Sequence, residues 1–344
     1  MRTADGRVRR AVSALAAGRP VVVNDDTDHD SGAHLVLAAE AANPPVMSFI
    51  VRHGTGLLRV ALPAAECDRL DLPPMCGRLD EKATAGGHRV AVDVIGTGTG
   101  ISATDRARTT AALADPESRA ADFRRPGHVI PVRIRDGGVL ENHRVVDAAV
   151  DLVRLAGRRP AAAFCEVVSR TDPTTIARGG EALEFAVEHS LAIVSVGELA
   201  AHLRRTEPQV ARVAETVIPT ASGVHRVIGF REIATGDEHL AVIVGSTGSD
   251  GPVPLHVHEE CVCGDVFGST SCRCRAGLDA ALAEMAAHGS GVIAYLRSGA
   301  PSSEHTSCTV EWMLRDLGVY SVRLTDDGPG FGLVMFGAIR SAAV

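Results

Sequence analysis

Lysine is almost missing from this chain of 344 residues: Lys82 stands alone among 35 lysines and arginines. A Walker-type phosphate loop cannot be built without its lysine, and Schiff-base chemistry would have only Lys82 to use. Long apolar runs are missing too. None approaches the roughly 20 residues of a membrane span, and no secretory leader is expected. There is no basic excess, since 42 acidic residues outnumber the 35 cationic ones and leave a net charge of -7. That balance argues against a nucleic-acid or membrane-surface partner. Repeats and low-complexity tracts are also lacking. The expectation is a cytoplasmic protein whose eight cysteines stay reduced.

What is present is enough chain for more than one core, so two domains are expected. The densest chemistry lies in His256-Val257-His258-Glu259-Glu260-Cys261, followed by Cys263 and by Cys272-Arg273-Cys274. Thiolates are soft donors that suit Zn2+, and three protein ligands leave the fourth position to water. Cys261, Cys272 and Cys274 are the candidate ligands. Cys263 would turn an open, catalytic geometry into a closed, structural one if it bound as well. The plain alternative is a set of small buried thiols, which four cysteines in so short a stretch disfavour.

Periodicity outlines the elements. Val8, Val12 and Leu15 recur at helical spacing over 5–17, and Gly18 ends that run. Residues 20–23 read as a strand leading into an acidic loop, 25–34. Helices are expected at 104–113, 146–155 and 196–205, with a strand at 191–196. The polar stretch Arg204-Arg205-Thr206-Glu207-Pro208 reads as a linker, which places domains at 1–205 and 206–344. Beyond it, 210–217, 223–232 and 240–245 read as strands. A helix follows at 278–285, a strand at 292–295 and a helix at 310–316. Strands and helices alternate in both halves, so the fold class is α/β (α+β), with two mixed-sheet domains.

Ordered motifs carry a family resemblance in each half. In the first are Arg52-His53-Gly54-Thr55-Gly56, the run Thr99 to Arg106 followed by Thr109, and Arg125-Pro126-Gly127-His128. Gly137-Gly138-Val139-Leu140 and Cys165-Glu166 continue the series. This half resembles 3,4-dihydroxy-2-butanone 4-phosphate synthase, which excises a carbon from ribulose 5-phosphate. The second half resembles GTP cyclohydrolase II through Glu232 to Gly236, His258-x-Glu260-Cys261, Gly264-Asp265 and Cys272-x-Cys274. Leu317-Gly318-Val319 before Val322-Arg323-Leu324 extends that likeness. The order of halves matches the bifunctional enzyme that opens both branches of riboflavin synthesis.

Departures from the two families are as informative. The synthase family's acidic loop reads Asp-Asp-Glu-Asp-Arg-Glu-Asn-Glu-Gly-Asp, and here it is Asp25-Asp26-Thr27-Asp28-His29-Asp30-Ser31-Gly32-Ala33-His34. The metal-binding Glu becomes Asp30. The family's metal-binding His falls on Val145, and the Glu two residues beyond it on Asp147. Valine cannot coordinate, so the family's Mg2+ site cannot persist unchanged. Mg2+ or Mn2+ would need a rebuilt site, for which Asp30, His143 and the new His34 are the candidates, with drift as the alternative. In the second half the Gln-Glu-Gly-Arg-Gly segment is missing, and the catalytic Asp and Arg fall on Ser303 and His305. GTP carries about four negative charges, and binding it without the family's clamp cations would be difficult.

The resemblance implies a sugar-phosphate site in the first half. Asp30, His128, Asp147 and Glu166 would supply acid–base chemistry for enolisation. Arg52, Thr99, Ser102, Asp105, Arg106, Thr109 and Arg125 would bind substrate, with Arg106 and Thr109 at a helix start suited to phosphate. The expected function is a diverged lyase on ribulose 5-phosphate or a related sugar phosphate. Its zinc-binding cyclohydrolase-like domain would no longer hydrolyse GTP, and His256, His258 and Glu260 would support a structural zinc rather than form a residual catalytic set. The alternatives are an inactive scaffold or regulator of riboflavin or specialised metabolism, and a repurposed zinc hydrolase. By resemblance alone, the synthase half implies a homodimer.

Overall fold

The computed structural model describes residues 4–26, 32–75, 87–247, 251–297 and 303–325, the side chains of 303–305 excepted. Asp30, His29 and Lys82 therefore lie outside the described residues, as does everything beyond Thr325. No helix among the described residues is long and apolar enough to cross a membrane. The chain divides into two compact units, Met1–Leu203 and Arg204–Val344.

The first unit runs α1 (Ala4–Ala16), β1 (Val21–Asn24), β2 (Ala33–Ala38), α2 (Pro44–His53), β3 (Arg59–Leu62) and α3 (Ala64–Arg69). Then come β4 (Gly87–His88), β5 (Val92–Val94), α4 (Ala103–Ala114), β6 (Phe123–Arg133), α5 (Gly138–Glu141) and α6 (Val145–Leu155). It closes with β7 (Ala162–Glu166), α7 (Gly180–Glu188), β8 (Ala192–Ser195) and α8 (Val196–Thr206). One mixed sheet has the order β4-β6-β3-β7-β2-β1-β8, with β5 on β6. β1 pairs in parallel with β8 and β3 with β6, while β2–β7 and β3–β7 are antiparallel.

Strand side chains alternate between faces, so each strand feeds two cores. On one face Leu35, Leu37, Val60, Ala163 and Cys165 pack with Met47 and Ile50 of α2 and Leu113 of α4. On the other, Val36, Ala61, Ala162 and Phe164 pack with Leu15 of α1, Leu152 of α6 and Leu199 of α8. α1 and α6 form because their apolar residues recur on one stripe, and Gly18 and Gly157 follow them with positive φ. His34 lies in β2 rather than in a loop: the acidic residues before it mask a strand that begins at Ala33.

The second unit contains β9 (Val210–Thr220), β10 (Gly223–Glu232), β11 (Glu238–Gly245), β12 (Val253–Glu259), α9 (Cys274–His288), β13 (Ser290–Leu296), α10 (Ser303–Asp316) and β14 (Val322–Leu324). Their sheet has the order β14-β12-β13-β11-β10-β9, parallel at β12–β13 and β12–β14 and antiparallel elsewhere. Ile228, Phe230, Leu255, Val292 and Ala294 pack against Val310, Met313 and Leu314 of α10. A short wide-turn helix, Val262–Val266, joins β12 to the remaining cysteines.

Candidate active site and metal centre

The synthase-like motifs meet through a chain of contacts in the first unit. Glu166 ends β7, opposite His34 of β2 in the ladder. Its carboxylate accepts from Thr55 Oγ1 at 3.2 Å and from the Arg59 guanidinium. His34 Nε2 lies 3.8 Å from the same carboxylate. Burial pushes Glu166 up, but Arg59 and His34 prevail and hold it below the usual carboxylate range. Burial dominates at His34 and lowers it, against the pull of Glu166. Arg106 Nη1 donates to the Gly56 carbonyl at 3.1 Å, so α4 is tied to the loop that carries Thr55. Burial also lowers Arg106, whose Nε has no partner among the described residues.

A second cluster surrounds His128 on β6. Asp93 of β5 is fully buried and accepts from the His128 backbone N–H at 2.9 Å. His128 Nδ1 lies 2.8 Å from the other Asp93 oxygen. An ionised carboxylate only accepts, so Nδ1 carries the proton and Nε2 is left to exchange one. Gly100 presses on this pair: a Cβ there would lie 2.1 Å from Asp93 Oδ2 and 2.7 Å from His128 Nδ1, and its φ is +87°. Only glycine fits, and it brings the loop before α4 onto the dyad. Asp93 was not among the residues singled out from the sequence. A lone aspartate in a short strand gives no signal until the ladder places it.

The other candidates have different neighbours. Ser102 caps α4 by accepting the Asp105 N–H at 3.0 Å, while Thr99 beside it is exposed. Asp105 places a negative charge in the first turn. Thr109 is fully buried, and its hydroxyl accepts the Val94 N–H at 3.1 Å. Arg125 donates to four backbone carbonyls, of Ala120, Phe123, Leu70 and Asp71. Asp147 is fully buried and held by Arg144 Nε at 2.7 Å; burial raises its carboxyl and Arg144 opposes the rise. Arg52 and His143 are exposed. Thr109 and Arg125, expected to bind substrate, and Asp147, expected to serve acid–base chemistry, thus bond to neighbouring groups of the fold.

In the second unit, Cys261, Cys272 and Cys274 bring their sulfurs within 4.8 Å of one another. Among the described residues no other group of three His, Cys, Asp or Glu does so. Cys263 is exposed and outside the group. A tetrahedral ion with bonds of about 2.3 Å separates its sulfurs by about 3.8 Å, and Cys261 and Cys272 are 3.8 Å apart. Gly264 permits the approach, since a Cβ there would sit 2.8 Å from Cys272 Sγ. Its N–H holds the Cys261 thiol below the ordinary value, while Cys261 and Cys272 push Cys274 up to about 11. Asp265 organises the loop. It accepts from the Cys261 N–H at 2.9 Å and from Tyr295 at 3.0 Å, and lies 2.9 Å from His258 Nε2.

Comparison with known proteins decides the family. The pattern of 3,4-dihydroxy-2-butanone 4-phosphate synthase matches residues 9–202, and that of GTP cyclohydrolase II matches 211–307. The riboflavin biosynthesis protein RibBA of Salinispora arenicola is 40% identical over 98% of this chain and 89% of its own length. The chain belongs to the RibBA family. RibBA of Mycobacterium ulcerans is 47% identical over 84% of the chain and 69% of its own length. Among solved structures, RibBX of A. baumannii, a two-domain 3,4-dihydroxy-2-butanone 4-phosphate synthase, is 27% identical with a TM-score of 0.70. It covers 95% of this chain, and this chain covers 96% of it. A synthase in complex with two magnesium ions is 37% identical over 58% of this chain and 97% of its own, with a TM-score of 0.54. The halves are thus the synthase and cyclohydrolase II domains of riboflavin biosynthesis. The Salinispora alignment runs over 378 positions against 344 residues, so at least 34 positions have no counterpart here.

Proposed function

We propose that the first half is a lyase on ribulose 5-phosphate or a close relative, and that the second half binds zinc without hydrolysing GTP. The observation that carries the first part is the Asp93–His128 dyad lying under the Gly100 loop at the start of α4. Enolising a ketose phosphate needs a proton acceptor and an anion-binding end. Nε2 of His128 is a proton-transfer group of the reaction in this reading. The phosphate goes to the start of α4, where Thr99 and Ser102 face solvent and Arg106 lies beneath. Glu166 orients the groups around it. Asp30 keeps its proposed acid–base role from motif order alone. The two-domain composition of A. baumannii RibBX supports a synthase that retains a second domain.

The cysteine group fits zinc. A bound ion would turn its three thiols into thiolates and tie the loop to the start of α9. Against GTP hydrolysis stand the missing Gln-Glu-Gly-Arg-Gly segment, Ser303 and His305 in place of the catalytic Asp and Arg, and the end of the cyclohydrolase match at residue 307. In this reading the protein is a homodimer assembled through the first half.

Purified protein incubated with ribulose 5-phosphate should consume it and release a one-carbon acid. With GTP it should release none. If no pentose or tetrose phosphate is bound or converted, the inactive-scaffold reading takes over. Formate release from GTP that depends on Cys274 overturns the second part.

A further inference from the structure

Arg59 follows the Arg52–Gly56 motif by three residues and belongs to none of the motifs. Alternation along β2, β3 and β7 puts His34, Arg59 and Glu166 on the same face of the sheet as Val36, Ala61 and Phe164. The Arg59 guanidinium lies 4.4 Å from the centre of the Phe164 ring and donates to Glu166. Its Nε is buried with no partner among the described residues. His34 Nδ1 lies 3.0 Å from the Gly32 carbonyl. A carbonyl only accepts, so Nδ1 carries a proton, and burial disfavours a second one, which leaves the Nε2 lone pair beside Glu166. A permanent cation with an N–H that no described residue engages therefore stands next to a neutral base.

Among the described residues, a divalent ion does not fit the same surroundings. Val145 occupies the position where the resemblance puts an imidazole ligand. Asp147 is fully buried and engaged by Arg144. Glu166 already holds a guanidinium, which would repel a second cation at this range. Fixed guanidinium donors can do what a Lewis acid does for a developing oxyanion.

We propose that this cluster enolises the sugar phosphate without a divalent ion, Arg59 holding the oxyanion and His34 accepting the proton. This rests on the lyase reading. The C–H bond beside the carbonyl breaks, and its proton goes to His34 Nε2. Its electron pair forms the new carbon–carbon double bond, while the carbonyl pair moves onto oxygen against Arg59. The imidazolium that forms is balanced by Glu166. His128, in the Asp93 dyad, serves the other proton transfers of the reaction.

The test uses the full chain, passed over a chelating resin and assayed for ribulose 5-phosphate consumption with EDTA, Mg2+ or Mn2+. The rate should agree within twofold across the three conditions. Mn2+ titration followed by electron paramagnetic resonance should show no stoichiometric site. Arg59→Ala should lower kcat at least 100-fold and KM by no more than threefold, with part of the rate restored by added guanidinium, a rescue that a purely structural role would not give. Arg59→Lys, which keeps a charge beside Glu166, covers the case in which the alanine variant does not fold; it should lose at least tenfold in kcat. Activity lost to EDTA and restored by Mg2+ or Mn2+ overturns the proposal, as does a stoichiometric Mn2+ site. No conversion of any sugar phosphate under any condition, by folded wild-type protein, overturns the lyase reading and the Arg59 role with it.

Discussion

The two halves hold their reactive groups by different means. In the first unit the groups stand on neighbouring strands, and ladder register sets their distances: His34 opposite Glu166, Arg59 opposite Phe164. Charge is neutralised locally, with Arg59 on Glu166 and Arg124 beside Asp93. In the second unit the thiols stand on a loop and at a helix start, and little besides Gly264 and Asp265 keeps them together. A strand-built site keeps its geometry without a ligand, because the whole sheet would have to slip to change it. A loop-built thiol cluster depends on its ion, since three sulfurs in close contact compete for protons until a cation takes their charge. Point changes should therefore cost the second half metal and stability, and the first half mainly function.

The largest expected effect tests the loop. Cys272→Ser should reduce zinc from about one per chain to a small fraction, since two sulfurs and water hold the ion poorly. Metal analysis by mass spectrometry, paired with thermal unfolding, should show the second unit melting earlier and the first unit unchanged. Full zinc retention would remove the basis of the comparison.

Next is the anion end of the first half. Arg106→Ala should weaken sugar-phosphate binding by about 2 kcal/mol, roughly 30-fold, through loss of a charge-assisted contact. Titration calorimetry with ribulose 5-phosphate would measure it. Equal affinity in variant and wild type would mean that Arg106 only braces the Gly56 carbonyl.

Thr109→Val gives a smaller effect of another kind. The hydroxyl accepts the Val94 N–H inside the fold, so its removal should cost about 1–2 kcal/mol of stability and leave sugar-phosphate affinity unaltered. Denaturant unfolding beside the same titration separates the two. A drop in affinity at unchanged stability would return Thr109 to the phosphate.

The ease of reading each half from its residues followed the same division. Helices with a clear apolar stripe, such as α1, α6 and α8, lie within about a residue of their expected limits. β6 gave no such signal, because Phe-Arg-Arg-Pro-Gly-His-Val-Ile-Pro-Val-Arg neither alternates cleanly nor avoids proline. It is a strand because β3, β4 and β5 pair with it. The thiol group was legible because ligand chemistry is written directly in cysteine spacing. Arg59 and Asp93 were not, and His34 stood out only as a departure from the family's loop, since their meaning lies in register across strands far apart in sequence. Thr109 shows the converse. Its place after the motif suggested phosphate, yet two turns into α4 it faces the sheet.

The smallest expected effect decides whether the metal centre is open. Cys263 sits two residues after Cys261, and spacing alone left it free to be a fourth ligand. The turn Val262–Val266 instead leaves its side chain exposed while Gly264 lies against the other three cysteines. Reaching the ion would require that turn to reverse, breaking the Cys261 and Asp265 contacts that set the loop. Cys263→Ser should therefore leave zinc content and the melting of the second unit within error of wild type. The fourth position would then be open to water or another small ligand, and Co2+-substituted protein should show the absorption of three thiolates rather than four. Zinc loss in Cys263→Ser comparable to that in Cys272→Ser would instead make this a closed, structural site.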